Sequence, residues 1–293
     1  MVTGVLAGLL AGALWGLVFV SPRMVDAGYS SVDLAAGRFV SYGAVSLAVV
    51  LLTRRRLPTA SQALAAAGLS LLGFTGYYLL LVFAIRDAGT EVPSLVIGTI
   101  PLWVMLLGKP GHLRWSALLP GVVLTAAGLA LMMGAPSAGA DGPHFWRGVA
   151  LAGGSLASWT AFALLNAAWL KRNPDVDATD WANWLGLATG AGALLLWLAA
   201  GSDPSTLRAQ DDGVRFAVLA IATGVGSAWL ATILWNVASR RLPASLCGQL
   251  IVSETLFALA YSFAWDARWP TVAQGAAVVL FTLGILASIK AHR

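Results

Sequence analysis

Long apolar runs alternate with short polar gaps along the whole chain, at about 4–20, 34–52, 63–85, 92–108, 115–133, 148–170, 181–200, 216–238, 244–265 and 271–289. A membrane-crossing helix needs roughly 20 mostly apolar residues, whereas a membrane-barrel strand is about ten residues of alternating polarity. These run lengths therefore predict ten transmembrane helices. Of the 31 charged residues, 29 fall in the gaps, and the exceptions are Arg38 and Glu254. The first run has no basic segment before it and no evident small-residue cleavage site, so it reads as a retained span.

Composition strengthens this reading. Charged residues make up 11% of the chain, against about 25% in a soluble domain, and 58% are hydrophobic with a mean hydropathy of +0.79. The net charge of +5 reflects basic loops beside lipid headgroups and needs no nucleic-acid partner. The single cysteine, Cys247, forms no intramolecular disulfide. Ten spans put both termini on one side, with Arg54, Arg55, Arg56, Lys109, Arg114, Lys171, Arg172, Arg240, Arg241, Lys290 and Arg293. The other side has six basic residues: Arg23, Arg86, Arg147, Arg208, Arg215 and Arg268. The bias of basic loops toward the cytoplasm places both termini there, in a multi-pass cell (inner) membrane protein. Trp115, Trp146, Trp169, Trp181, Trp265 and Trp269, near span ends, read as interfacial anchors.

The linker-like segment GAPSAGADGPH, residues 134 to 144, divides the spans five and five. Residues recur across it in order. Trp15 and Trp159 are 144 apart; Gly73 and Gly224, Tyr78 and Trp229, and Ser94 and Ser245 are 151 apart. Trp115 and Trp269, with Gly121 and Gly275, are 154 apart. A slowly growing offset is what small loop insertions produce in a duplicated sequence. We therefore divide the chain into 1–138 and 139–293, each a five-helix repeat. An odd number of spans makes the second copy insert upside down. The expected fold is all-α and integral to the membrane, with ten helices as two inverted five-helix repeats around a central cavity, an architecture associated with alternating access.

Several mid-span side chains are candidates to line that cavity. Trp15, Tyr78, Trp103, Trp159 and Trp229 lie well inside their spans, and Leu95, Thr99 and Trp103 share a helical stripe. In span nine, Ser245, Gln249 and Ser253 form a polar stripe beside Glu254, and such a stripe faces protein or water rather than lipid. An aromatic wall suits flat side chains by stacking and an ammonium group by cation–π attraction. The competing readings are packing for the aromatics and interhelical hydrogen bonding for the polar stripe. Glu254 near the midplane is open to three roles: counter-charge to an ammonium, proton carrier, or neutral acid bonded to a neighbour. Arg38, about a turn inside its span, reads as structural and able to reach outward. Gly4, Gly8, Gly12 and Gly16 make a smooth groove for a neighbouring helix, and Pro101 is expected to kink span four.

These features carry a resemblance. LAGALWGLVFV in span one, AAGRFVSYGA in span two, VPSLVIGTIPLWVMLLG in span four and ASLCGQLIVSETLFALAYSFAWDARW in span nine follow in order along nearly the whole chain. The chain resembles the drug/metabolite transporter (DMT) superfamily in its EamA-type branch, and is most similar there to the YddG-type aromatic amino-acid exporters. The resemblance implies two inverted five-helix repeats, a cavity bounded mainly by spans one, three, four, six, eight and nine, and export of amino acids and related metabolites. Where family members often read Glu-Pro in span nine, Glu254 here is followed by Thr255, which puts in doubt a kink shared by both halves.

The leading expectation is a secondary transporter exporting amino acids, aromatic ones included, by alternating access. Its substrate-binding candidates are Trp15, Tyr78, Thr99, Trp103, Trp159, Trp229, Gln249, Ser253 and Glu254. The alternative is efflux of cationic drugs or other metabolites. An intramembrane enzyme needs nucleophiles, metal ligands or paired carboxylates at membrane depth. Here His112, His144 and His292 lie in loops or tails, Cys247 has no candidate partner, and Glu254 stands alone among acids. No metal, cofactor, nucleic acid or obligate protein partner is expected; the partners are a small-molecule substrate and the lipid bilayer. Nothing in the sequence marks the filter of a passive channel.

Overall fold

The structure is a computed structural model that describes residues 1–24, 28–89, 91–132, 143–267 and 269–292. Most of the expected linker at 134–144, with the repeat boundary at 138, lies outside the described residues. Among those described, the chain has helices, turns and no strand. The spans are α1 (Val2–Gly16, extended by a tight turn Leu17–Phe19), α2 (Ser31–Leu52), α3 (Ala60–Ala88), and α4 in two pieces (Glu91–Gly98 and Ile100–Leu107). They continue with α5 (Trp115–Met132), α6 (Phe145–Arg172), α7 (Ala178–Ala200), α8 (Gly213–Arg241), α9 (Ala244–Trp265) and α10 (Val272–Ala291). Among the described residues, nine are each long and apolar enough to cross a bilayer, and the broken fourth contributes the shorter apolar stretch Val92–Leu107.

Local chemistry sets the helix ends. Ser30, Thr59 and Thr271 each cap a helix through the third residue of its first turn, which returns the bond through its own side chain, and Asp177 accepts from Thr179 N and Asp180 N. Each cap satisfies N–H groups that have no partner inside the helix. α4 breaks at Thr99, where Pro101 supplies no N–H to continue the ladder; Thr99 turns its own N–H and Oγ1 onto Val96 O. The kink expected at Pro101 is thus a full interruption.

The helix contacts of the two halves correspond pair by pair. Each of α2 and α5 lies against its own repeat mate, α7 and α10. The α3–α6 contact is mirrored by α8–α1, and α1–α9 by α6–α4. At the α2–α7 crossing, Gly43 faces Gly190: a Cβ on either would stand 2.7 or 2.8 Å from the other's Cα. α3 and α8 even share a local irregularity, a widened π turn at Leu71–Thr75 and at Gly224–Leu230. These turns contain the Gly73 and Gly224 that the 151-residue offset pairs. Gly73 seats the Phe162 ring, and Gly224 lets α8 approach Ser41 and the Arg38 carbonyl.

The glycine groove of α1 has the packing role. Gly4, Gly8, Gly12 and Gly16 meet Leu242, Leu250, Ser253 and Ala258 in turn, so α9 lies flat along it. One buried cluster gathers α1, α4, α6, α8, α9 and α10 around Leu246, Leu250 and Phe281; another gathers α2, α3, α6 and α7 around Tyr42, Trp181 and Trp184. Outward stripes such as Leu6 and Leu10, Leu47 and Leu51, and Val214 and Val218 are exposed apolar surface. On a soluble protein they would be a liability; here they face acyl chains.

Trp115, Trp146, Trp265 and Trp269 are exposed near span ends, as anchors should be. Trp169 and Trp181 are not anchors. Their rings stack 3.6 Å apart, and fully buried Trp181 donates to Asn166 Oδ1 at 2.7 Å. The indole N–H found a partner inside the bundle, which a position near a span end did not reveal.

Candidate functional site

α2 turns one face inward at Ser31, Leu34, Ala35 and Arg38, the i, i+3, i+4, i+7 spacing of a helical stripe, and α8 does the same at Phe216, Leu219, Ala220 and Thr223. Between them, with Val18 and Ser21 after α1, Phe39 on α2 and Tyr78 on α3, lies a cavity of about 170 Å³. At about 30 Å³ of liquid volume per water, that is room for roughly six water-sized occupants. α1 and α3 end, and α2 and α8 begin, on the face opposite the termini, so the cavity belongs to that side. Its boundary is α1, α2, α3 and α8; α2 replaces the α4, α6 and α9 walls that the resemblance implied.

The lining is mostly apolar with a cation at one point. Tyr78 sits edge-on to Phe39 at 6.2 Å and donates to Ser31 O at 2.7 Å. Phe216 is stacked on Tyr29 at 4.3 Å. Arg38 lies seven residues into α2, about 10 Å along its axis, because α2 begins at Ser31 rather than near 34. It does not reach outward. Its Nη2 donates to Ser227 O at 3.1 Å, its guanidinium lies 5.1 Å from the Phe39 ring centroid, and its Nε is buried without a partner. The reading of Arg38 as outward-reaching is corrected: α8 supplies a carbonyl from its π turn, where the ladder leaves one available. Glu254, half-buried on α9, is within electrostatic range of Arg38 and Tyr77. Among the described residues it makes neither a side-chain hydrogen bond nor an ion pair, so no bonded neighbour accounts for it.

Of the nine candidates named from sequence, the cavity is lined by Tyr78 alone. Trp15 and Trp159 form the junction beneath it with buried Trp235, at centroid distances of 6.4 Å (Trp15–Trp159), 5.3 Å (Trp15–Trp235) and 6.3 Å (Trp159–Trp235). Trp229 is tied to Asn183 Oδ1 at 2.8 Å. Tyr78 and Trp229, repeat mates, thus each bond the preceding span of their own half.

Four other candidates lie away from this cavity. Trp103 is 47% exposed, on the side of α4 turned away from Ile100, Pro101, Val104 and Met105, which are buried. Gln249 is fully buried and committed at both ends: Nε2 donates to Thr125 Oγ1 at 2.9 Å, and Oε1 accepts from Ser288 Oγ at 2.9 Å. Ser253 donates to Leu250 O at 2.7 Å and is pressed against Gly12. Thr99 spends its hydroxyl on Val96 O. Within the polar stripe of span nine, Gln249 bonds across to neighbouring helices while Ser253 bonds back onto its own, since in a bilayer a polar side chain that finds a neighbour is held by it. Ser245 follows suit, 2.7 Å from His292 Nε2.

The terminus-side end is crossed by ion pairs and hydrogen bonds beside a second cavity of about 460 Å³ lined by Ala178, Val237, Arg240 and Arg241. Arg55 pairs with Asp177 at 2.7 Å and Arg56 with Asp175 at 3.0 Å, while Arg240 donates to the Val176 and Pro174 carbonyls and Lys171 to Leu242 O. Beneath them, Asn166 links Trp181 to Asn236, whose amide reaches Ala178 O.

Comparison with known proteins agrees with this architecture. Residues 2–134 match the EamA-like transporter family. The chain is 32% identical to the inner membrane protein YtfF of Escherichia coli (strain K12) over 311 aligned positions, covering 99% of this chain and 96% of that protein. A solved crystal structure shares the fold with a TM-score of 0.79 at 20% identity, over 98% of each chain. The chain therefore belongs to the EamA-like transporter family of the DMT superfamily, a group of multi-helix membrane transporters.

Proposed function

We propose that this transporter exports amino acids, aromatic ones among them, and related metabolites across the inner membrane by alternating access. The observation that supports the reading is the aromatic-walled cavity bounded by Phe39, Tyr78 and Phe216 on one face, with stacked tryptophans and ion pairs crossing the other end. A cavity opening to one side, with contacts clasping the opposite end, is one state of a rocking two-fold bundle. Its volume suits a single metabolite better than drug-sized ligands, whose pockets run from about 300 to 1,000 Å³. The excess of basic loop residues favours termini in the cytoplasm, an orientation in which this cavity faces outward and the clasped end inward.

Counterflow in proteoliposomes loaded with phenylalanine or leucine tests the reading. Saturable, stereoselective uptake of labelled amino acid is the expected result; no exchange with any amino acid would end the proposal. A C-terminal reporter active only outside the cell would overturn the orientation.

A further inference from the structure

The cavity's charge points to a narrower substrate class. Its walls carry Arg38 and, among the described lining residues, no carboxylate. A guanidinium offers five N–H donors in a planar fork. Ser227 O takes one of them, and Nε is buried without a partner. Phe39 covers the guanidinium as a cation–π contact, which leaves the fork charged and fixed in direction. Glu254 comes within electrostatic range yet forms no ion pair with it. A charge held at depth with donors to spare is costly unless something anionic completes it, and carboxylates match the fork in geometry.

We infer that Arg38 is the docking point for a substrate carboxylate, and that the transporter selects molecules joining a carboxylate to an apolar or aromatic body. Leu34, Phe39, Phe216 and Leu219 supply the surface for that body. An amine without a carboxylate brings a second cation toward Arg38 and is disfavoured, which separates this class from cationic efflux substrates. The inference rests on the transport reading above and sharpens it.

The test is counterflow with labelled phenylalanine, challenged by phenylpropionate (carboxylate, no amine) and phenethylamine (amine, no carboxylate), on wild type, Arg38→Gln and Arg38→Lys. Monodispersity by size-exclusion chromatography checks each variant. In wild type, phenylpropionate competes and phenethylamine does not. Arg38→Gln raises the KM for phenylalanine at least tenfold and lessens the preference for phenylpropionate over phenethylamine, and Arg38→Lys falls between. If Arg38→Gln folds and leaves both KM and preference unchanged, or if phenethylamine competes as well as phenylpropionate in wild type, the assignment is overturned while transport stands. If Arg38→Gln does not fold, the wild-type competition order and the Arg38→Lys KM decide. Absence of any flux in wild type removes both readings together.

Discussion

The α2–α7 crossing gives a sharp energetic test of the two-fold packing. A methyl group added at Gly190 would stand 2.7 Å from Gly43 Cα, 3.3 Å from Gly43 N and 3.4 Å from Phe39 O. Carbon atoms rest at about 3.5–4.0 Å, so the helices must part by roughly 1 Å. The atoms in the way are backbone and cannot rotate aside. Overpacking of this kind costs about 1–3 kcal/mol. Alanine recovers up to about 1 kcal/mol through helix propensity, so Gly190→Ala is expected to destabilise by about 1–2 kcal/mol. Gly190→Val, with more bulk and less propensity, should destabilise by more. For a chain this size the alanine change corresponds to a melting temperature lowered by about 2–8 °C. Gly153→Ala on α6 is the control: its Cβ meets nothing within 4 Å, so propensity alone acts and stability holds or rises. Thermal unfolding in detergent, followed by light scattering and size-exclusion recovery, reads both variants. If Gly190→Ala and Gly153→Ala shift the melting temperature in the same direction by similar amounts, the close crossing is wrong.

Three further outcomes are expected. Asp33, buried in the first turn of α2, accepts from the backbone and hydroxyl groups of Ser30 and Ser202 and from Trp197 Nε1; Asp33→Ala strands these donors and should cost about 3–5 kcal/mol in the same unfolding assay, an unchanged melting curve being the contrary result. Gln249→Leu leaves the Thr125 and Ser288 hydroxyls short of a partner, so it should lower stability by about 1–3 kcal/mol while keeping KM within about twofold; a large KM change would return Gln249 to the substrate site. Thr223→Cys, in the cavity wall, should react with a membrane-impermeant maleimide from the face opposite the termini, while native Cys247 stays unlabelled because it is buried; labelling only from the terminus face would reverse the direction of opening.

The sequence by itself determined the number of spans, the irregularity of the fourth at Pro101, the glycine groove on α1 and the matching order of residues in the two halves. Each of these is written in chain-local terms: run length, a proline without its N–H, small residues every fourth position, a steady offset. It did not determine which way each helix faces. Lipid and protein interior are both apolar, so an α-helix in a bilayer carries little patterning to mark its inner side. Arg38, Gln249 and Trp181 illustrate the loss. All three are polar or amphipathic groups whose orientation depends on partners 189, 124 and 15 residues away. Asp33 was hidden for a related reason, since its role needs Ser202 and Trp197 from the far half of the chain. Rotation about the helix axis, and with it the identity of the cavity wall, was set by long-range packing of one half against its inverted copy.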